Sequence, residues 1–164
     1  MKTIRLAMLL LEEKDKLLAG WTWEILATNL NDNSLETARA GIYGPYALRD
    51  TSARLRRKYF KDVGNNKLQA NDLLKAQIRF DRVNLSDDSK MLFQKGLDFI
   101  FCCNVLIYFD LASKRRVVQH FYSNLLPGGY PFLGLTESLF QADKSFRLVH
   151  FPRTTAYWKP TSGR

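Results

Sequence analysis

The sequence predicts an α/β protein with a mostly parallel β-sheet and an antiparallel hairpin at the C-terminus. Helix and strand signals alternate along the chain, which is typical of parallel strands joined by helices. The clearest unit is an apolar strand at 98–104, followed by a helix and by a second strand at 130–135. The last two strands are separated only by Pro152-Arg153-Thr154, which indicates a hairpin.

Size and composition favour one globular domain. The chain has 164 residues, of which 46% are hydrophobic, and it has no low-complexity segment. It has no run of about 18 apolar residues, and its first segment, MKTIRLAMLLLEEKDK, mixes charged with apolar residues. We therefore expect a cytoplasmic protein without membrane insertion. Cys102 and Cys103 are adjacent, so a strand would place them on opposite faces, which argues against a disulfide framework.

The first part of the chain predicts a helix, a strand and a second helix. Residues 4–18 are rich in leucine and are followed by Gly20, which suits a helix with a glycine stop. The apolar run at 23–28 predicts a strand, and the next helix should end at Gly41. The N-cap candidates of that helix are Asn31, Asp32 and Ser34.

The middle of the chain predicts a basic helix, a turn and a strand. The helix lies near 51–60, the turn is Gly64-Asn65-Asn66, and the strand lies at 78–83. The helix after the 98–104 strand should begin at Asp110 or Ser113 and should end at 126–129, where the sequence is Leu-Pro-Gly-Gly. Its apolar residues recur at helical spacing: Val117, Val118, Phe121 and Leu125.

The positive charge is concentrated in part of the chain. The net charge is +9, and the segment Arg49 to Lys61 holds six basic residues and one acidic residue. Such a run is either a solvated helix face or a surface for an anionic partner, protein or nucleic acid. The sequence alone leaves both interpretations open.

Polar residues follow the predicted parallel strands at their carboxyl ends, where α/β sheets bind ligands. They are Asn29 after the first strand, Asn84-Leu85 after the second and Cys103-Asn104 after the third. The three asparagines could bind one polar ligand, or each could simply stabilise a turn. The sequence has no CxxC, GxSxG, GxxxxGK[ST] or HExxH motif, so we expect no metal site, triad hydrolase or P-loop nucleotide site.

Several long stretches resemble the catalytic domain of CheR-type chemoreceptor methyltransferases. They are ATNLNDNSLETARAGIYGPYALR, LRRKYF, VNL, LDFIFCCNVLIYFD, LLPGGYPFLGLTESL and YWK, in the family's order and spacing. The resemblance implies a class I S-adenosylmethionine-dependent methyltransferase fold. It also implies methylation of glutamate side chains on the cytoplasmic domain of a chemoreceptor or a related signalling protein.

The resemblance also implies which residues contact S-adenosylmethionine. Cys103-Asn104 and Asn84-Leu85 match positions that lie against the cofactor, and Asn29 matches a position that is usually an aspartate bound to the ribose hydroxyls. No general base is implied, because a glutamate nucleophile is already ionised at neutral pH. The segment at about 49–77 matches a small insertion that docks a receptor peptide in some members.

The chain departs from the family at its N-terminus. Met1-Lys2-Thr3 stands where relatives have an acidic pair, after a first strand and a glycine-rich loop. We therefore expect a single truncated catalytic domain over 1–164 that lacks the first, central strand and binds cofactor weakly. Its strands at 23–29 and 98–104 would then either pair directly or stay apart.

Two alternatives differ in function class. The first is a non-catalytic remnant that binds a protein partner through the basic 49–61 segment and one face of the terminal hairpin. The second is a methyltransferase acting on nucleic acid, which we do not expect, because base-stacking aromatic residues are not spread around the basic segment.

Overall fold

The computed structural model describes residues 2–91, 94–152 and 154–161. These residues cluster in two compact units, one ending at Val83 and the other beginning at Asn84. Both units are α/β, as the sequence predicts, and each contains one pair of parallel strands. The division into units does not test the expectation of a single catalytic domain, which stays a prediction.

The first unit is built on a parallel strand pair and a small antiparallel sheet. Its elements are α1 (Lys2–Glu13), β1 (Ile25–Asn29), α2 (Asp32–Ala40), β2 (Ile42–Tyr43), α3 (Ala53–Tyr59), β3 (Phe60–Asp62), β4 (Leu68–Ala70), α4 (Asp72–Lys75) and β5 (Ile78–Arg82). β1 pairs in parallel with β5. β4 lies between β2 and β3 and is antiparallel to both. The segment at 49–77, which the resemblance identifies as an insertion, contains α3, β3, β4 and α4.

The second helix follows its local signals closely. The side chain of Asn31 accepts a hydrogen bond from the Ser34 backbone N–H at 3.0 Å, so Asn31 is the N-cap. Gly41 has a left-handed backbone with φ of 65°, and its N–H donates to the Thr37 carbonyl. Both predicted ends of this helix are confirmed.

The first helix is shorter than predicted. It ends at Glu13 instead of continuing to residue 18. Charged residues are continuous from Glu12 to Lys16, so a further turn would have almost no apolar side chain to bury. Its apolar face enters the core of the first unit, whose buried residues include Ile4, Met8, Tyr59 and Leu74.

The second unit contains the predicted strand, helix, strand and hairpin. Its elements are α5 (Asp88–Met91), β6 (Leu97–Cys102), α6 (Leu111–Asn124), β7 (Leu125–Leu133), β8 (Arg147–Phe151) and β9 (Thr154–Trp158). β6 and β7 are parallel, and β8 and β9 form the antiparallel hairpin. Asp110 is the N-cap of α6, because its side chain accepts the Ser113 N–H at 2.7 Å.

The end of α6 differs from the prediction. The helix ends at Asn124, and residues 126–129 belong to β7 instead of closing the helix. They form a bulge: Leu97 faces Leu125, but Phe99 already faces Tyr130. A Cβ on Gly129 would lie 2.9 Å from the Asp98 carbonyl oxygen, so the close approach of β7 to β6 requires glycine there.

The strands predicted at 23–29 and 98–104 each pair within their own unit. β1 pairs with β5, and β6 pairs with β7. The first twelve described residues, Lys2–Glu13, are helical, as predicted, and do not form a strand. Among the helices that the structure describes, none has both the length and the apolar composition needed to cross a membrane.

Lys159 stabilises the C-terminal end of α6. Its Nζ donates to the backbone carbonyls of Tyr122 at 2.6 Å and Leu125 at 2.7 Å, and it lies 4.6 Å from the centre of the Tyr122 ring. A cation at this position satisfies carbonyls that have no partner within the helix and interacts favourably with the helix dipole. The sequence gives no local signal for this contact, because Lys159 is 34 or more positions from both carbonyls.

Lys159→Met should lower the free energy of unfolding of the second unit by about 1–3 kcal/mol, because two charge-assisted hydrogen bonds are lost while the methylene packing is largely kept. Urea denaturation followed by amide hydrogen exchange in residues 111–124 would measure the change. Lys95→Met is the matched control, because Lys95 is exposed and makes none of these contacts. Equal stability of the two variants would contradict the capping role.

Candidate functional site

The end of β6 is the most distinctive of the predicted strand ends. The strand stops at Cys102, and Asn104 has a left-handed backbone with φ of 59°. Asparagine tolerates this conformation better than most residues. The chain then turns into a short 3-10 helix, Leu106–Tyr108. The side chain of Asn104 is exposed and makes no hydrogen bond to any residue that the structure describes, so its amide is available to a ligand.

A glutamate from another part of the second unit holds this turn. One oxygen of Glu137, Oε2, accepts the backbone N–H groups of Asn104 and Gly134, each at 2.7 Å. The other, Oε1, accepts the N–H groups of Val105 at 2.9 Å and Leu106 at 2.7 Å. Burial favours the neutral acid, but these hydrogen bonds outweigh it and lower the pKa of Glu137 below its usual range.

Gly134 allows this arrangement. A Cβ at this position would lie 2.6 Å from Asn104 Oδ1 and 2.7 Å from Glu137 Oε2. These distances are too short for any carbon side chain. The residue after β7 must therefore be glycine for Glu137 and Asn104 to lie as they do.

The two cysteines lie in different surroundings. Cys102 is buried, and Cys103 is half-buried with its Sγ 3.9 Å from the Phe132 carbonyl oxygen. Neither cysteine forms a disulfide bond with a residue that the structure describes. Cys103 therefore contributes a small, weakly polar side chain beside Asn104.

Asn84 and Leu85 begin the second unit. Asn84 is exposed, and its Oδ1 accepts the Ser86 N–H at 3.0 Å, while Leu85 is half-buried. Asn84 thus forms the local turn that the sequence left open as an alternative role. The remaining acceptor site on this oxygen and both amide protons have no hydrogen-bond partner among the described residues.

Asn29 is the last residue of β1 in the first unit. It is exposed, and its Oδ1 accepts the Asn31 N–H at 2.9 Å, so it also forms a turn. Its backbone carbonyl accepts the Val83 N–H at 3.2 Å. As in Asn84, the amide protons and one acceptor site of the side chain make no hydrogen bond to a residue that the structure describes.

Each of the three asparagines presents an amide at the end of a strand or two residues after it. An exposed neutral amide can both donate and accept hydrogen bonds. The side-chain amide of Asn104 has no described hydrogen-bond partner, although its Oδ1 lies close to Gly134, whereas Asn29 and Asn84 each use one acceptor site in a turn. None of the three carries a charge, so each would contribute an ordinary neutral hydrogen bond.

The basic segment forms a second polar cluster that the sequence did not predict. Glu12 on α1 accepts hydrogen bonds from Lys58 Nζ and from Tyr59 Oη, both at 2.7 Å, and it pairs with Arg54 on α3. These contacts, led by the bond from Lys58, lower the pKa of Glu12 to about 2. Arg54, Arg57 and Lys58 are exposed and Arg56 is half-buried, and this exposure fits both interpretations of the basic segment.

A family model matches most of the chain. Residues 3–155 match the family described as "CheR methyltransferase, SAM binding domain". That match includes both units and every candidate residue named above. It confirms S-adenosylmethionine as the cofactor of this domain.

Curated relatives carry consistent names. "Chemotaxis protein methyltransferase 2" of Vibrio cholerae is 33% identical over 141 residues, which are 86% of this chain and 49% of that protein. "Chemotaxis protein methyltransferase" of Vibrio parahaemolyticus is 39% identical over 126 residues, which are 76% of this chain and 45% of that protein. The chain thus spans about half the length of the curated relatives it matches.

The solved structures that match the chain include two methyltransferases. A methyltransferase from Geobacter sulfurreducens has a TM-score of 0.46 at 13% identity, with 98% of this chain and 79% of that chain covered. A SAM-dependent methyltransferase from Methanosarcina mazei has a TM-score of 0.42 at 15% identity, with 97% and 67% covered. By the family match and the curated relatives, the chain belongs to the CheR methyltransferase family and comprises its S-adenosylmethionine-binding domain.

Proposed function

We propose that this protein takes part in the S-adenosylmethionine-dependent methylation of glutamate side chains on chemoreceptors or related signalling proteins. The observation that carries the proposal is the family match over residues 3–155. The names of the curated relatives support methyl transfer in chemotaxis. The substrate would be the cytoplasmic domain of a receptor, because that is where a cytoplasmic methyltransferase meets it.

The reaction requires few catalytic groups. When bound, S-adenosylmethionine would supply the methyl group that a glutamate carboxylate of the substrate accepts, with S-adenosylhomocysteine as the other product. The carboxylate is ionised at neutral pH, so no general base has to remove a proton. Alignment of the two reactants and exclusion of water supply the catalysis. The absence of a histidine or cysteine assigned to catalysis is consistent with this chemistry.

The cofactor contacts are proposed separately for each unit. In the first unit we propose that Asn29 hydrogen-bonds to the ribose hydroxyls. In the second unit we propose that Asn84, Leu85, Cys103 and Asn104 contact the cofactor. The exposed, unpartnered amide of Asn104 is the strongest support among them, because the fold gives it no other described hydrogen bond.

A methyl-transfer assay tests the proposal. The chain is incubated with S-adenosylmethionine labelled in its methyl group and with a receptor cytoplasmic fragment, and alkali-labile label on the fragment is measured. We expect label on that fragment and none on a matched fragment whose methylated glutamates are changed to glutamine. Cofactor binding without label would contradict glutamate methylation, whereas no binding at millimolar cofactor would contradict the whole proposal.

Asn29→Asp should tighten cofactor binding about fivefold, or about 1 kcal/mol, because a carboxylate can accept from both ribose hydroxyls. The carboxylate also retains the hydrogen bond from the Asn31 N–H, so the turn is kept. Titration calorimetry measures the dissociation constant. Asn33→Asp is the matched control, since it adds the same charge at an exposed position on α2. Unchanged or weaker binding by Asn29→Asp would show that Asn29 does not face the ribose.

A further inference from the structure

We propose that Glu137 is a positioning residue for the cofactor: it fixes the 103–106 turn, and so the Asn104 amide, in the geometry that S-adenosylmethionine requires. This inference rests on the proposed cofactor role of Asn104. Glu137 itself would not touch the cofactor.

The acceptor sites of the Glu137 carboxylate are all occupied by hydrogen bonds within the protein. An ionised carboxylate has about four acceptor sites, and Glu137 receives four backbone N–H groups, two on each oxygen. Three of these groups belong to consecutive residues, Asn104 to Leu106, and such a run forms a concave site that favours an anion. Glu137 fills that site from within the protein. It therefore has no acceptor left for a ligand and is not a candidate base or substrate.

The hydrogen bonds stabilise a backbone that is otherwise unfavourable. Asn104 lies at φ of 59°, a conformation that costs energy for any residue with a Cβ. The bond from its N–H to Glu137 Oε2 is short and charge-assisted, which is the stronger class of hydrogen bond. Because the N–H groups of Val105 and Leu106 bind the other oxygen, the whole turn is held at several points.

Close packing around Glu137 also restricts the position of its carboxylate. Glu137 binds the N–H of Gly134 three positions before it, so its side chain folds back over its own loop. A Cβ on Gly134 would collide with both Glu137 Oε2 and Asn104 Oδ1, at 2.7 and 2.6 Å. Glu137, Gly134 and Asn104 therefore form one closely packed group.

These contacts preorganise Asn104, whose side-chain amide can then bind a ligand. The backbone of Asn104 is restrained, while its side chain is exposed and has no described hydrogen-bond partner. A preorganised polar group binds more tightly than a mobile one, because less conformational freedom is lost on binding. Loss of Glu137 should thus weaken cofactor binding even though no contact to the cofactor is removed.

The test uses the full chain and the variants Glu137→Gln, Glu137→Asp and Glu36→Gln. Glutamine keeps the shape of the side chain but places an amide NH2 group against some of the backbone N–H groups. Aspartate keeps the charge on a side chain that is one methylene shorter. Glu36→Gln is the charge-matched control, because Glu36 is exposed on α2. The dissociation constant of S-adenosylmethionine is measured for each, together with the amide proton shifts of residues 104–106 and 134.

We expect Glu137→Gln to weaken cofactor binding about tenfold or more, as expected when charge-assisted hydrogen bonds are lost, and Glu36→Gln to change it less than about twofold. In the wild-type chain the amide protons of residues 104–106 and 134 should lie downfield, as for donors to a carboxylate, and they should move upfield together in Glu137→Gln. Hydrogen exchange in β6 and β7 should be unchanged, which separates a local effect from unfolding.

Wild-type amide shifts that show no carboxylate bonding would overturn the inference without any variant. Unchanged affinity in Glu137→Gln with displaced amide protons would also overturn it, because the turn would then not control the cofactor. If the wild-type chain fails to bind cofactor at millimolar concentration, the proposed function and the cofactor part of this inference both fail. The amide shifts would still decide whether Glu137 holds the turn, so the two failures are distinguishable.

Discussion

Phe121→Ala should lower the free energy of unfolding of the second unit by about 3–5 kcal/mol, the usual cost of removing a large buried aromatic side chain. Phe121 is 2% exposed, and Val117 and Val118 on the same helix are fully buried. α6 contacts β7 and α5, so a cavity here lies in the interior of the unit. Small proteins are stable by about 5–15 kcal/mol, so this one change would remove a large share of that stability.

Hydrogen exchange of amides in β6, α6 and β7, followed in increasing urea, would measure the loss in the second unit. Gln119→Ala is the control on the same helix, because Gln119 is exposed and its truncation should change stability by less than about 0.5 kcal/mol. The loss of stability in Phe121→Leu should lie between those of the other two variants, since leucine fills part of the cavity. Equal effects of Phe121→Ala and Gln119→Ala would show that α6 does not pack as the structure has it.

Local chemistry explains which parts of the fold the sequence predicted well. The caps at Asn31 and Asp110 and the stop at Gly41 depend on contacts within four residues. The sequence predicts the stop at Gly41 and includes both caps among its candidates. The end of α6 was predicted wrongly because it depends on β7, whose register on β6 contains a bulge at 126–129. Leu-Pro-Gly-Gly is typical of a helix stop. Only the pairing with β6 shows that these residues belong to a strand.

The candidate site shows the same division. Asn29, Asn84 and Asn104 could be named because they follow strands, and the resemblance to a family gave them a ligand. The glutamates that hold these segments could not be predicted, because their partners are distant in sequence. Glu137 accepts the N–H of Asn104 from 33 positions away, and Glu12 accepts a hydrogen bond from Lys58, 46 positions away. Neither glutamate lies in a local sequence pattern that distinguishes such an acceptor from a solvated side chain.

Glu12→Gln should reduce the stability of the first unit at neutral pH and should also remove part of its dependence on acid. Glu12 is the common acceptor of Arg54, Lys58 and Tyr59, and its side chain is only 16% exposed. Its pKa in the folded protein is about 2, compared with 4.5 for an unperturbed glutamate. Because folding lowers the pKa, the carboxylate stabilises the folded state fully above pH 4.5, and this contribution is lost as the pH falls towards 2.

The informative quantity is the difference in stability between the wild type and Glu12→Gln, measured at several pH values by hydrogen exchange in α1 and α3. This difference should be constant above about pH 4.5, and it should shrink steadily between pH 4.5 and 2, where only the wild type takes up a proton at position 12. Glu36→Gln, which alters an exposed carboxylate on α2, should show a much smaller difference at every pH. A pH-independent difference for Glu12→Gln would mean that the carboxylate acts through its shape alone. The charged contacts to Arg54 and Lys58 would then contribute little to holding α1 against α3.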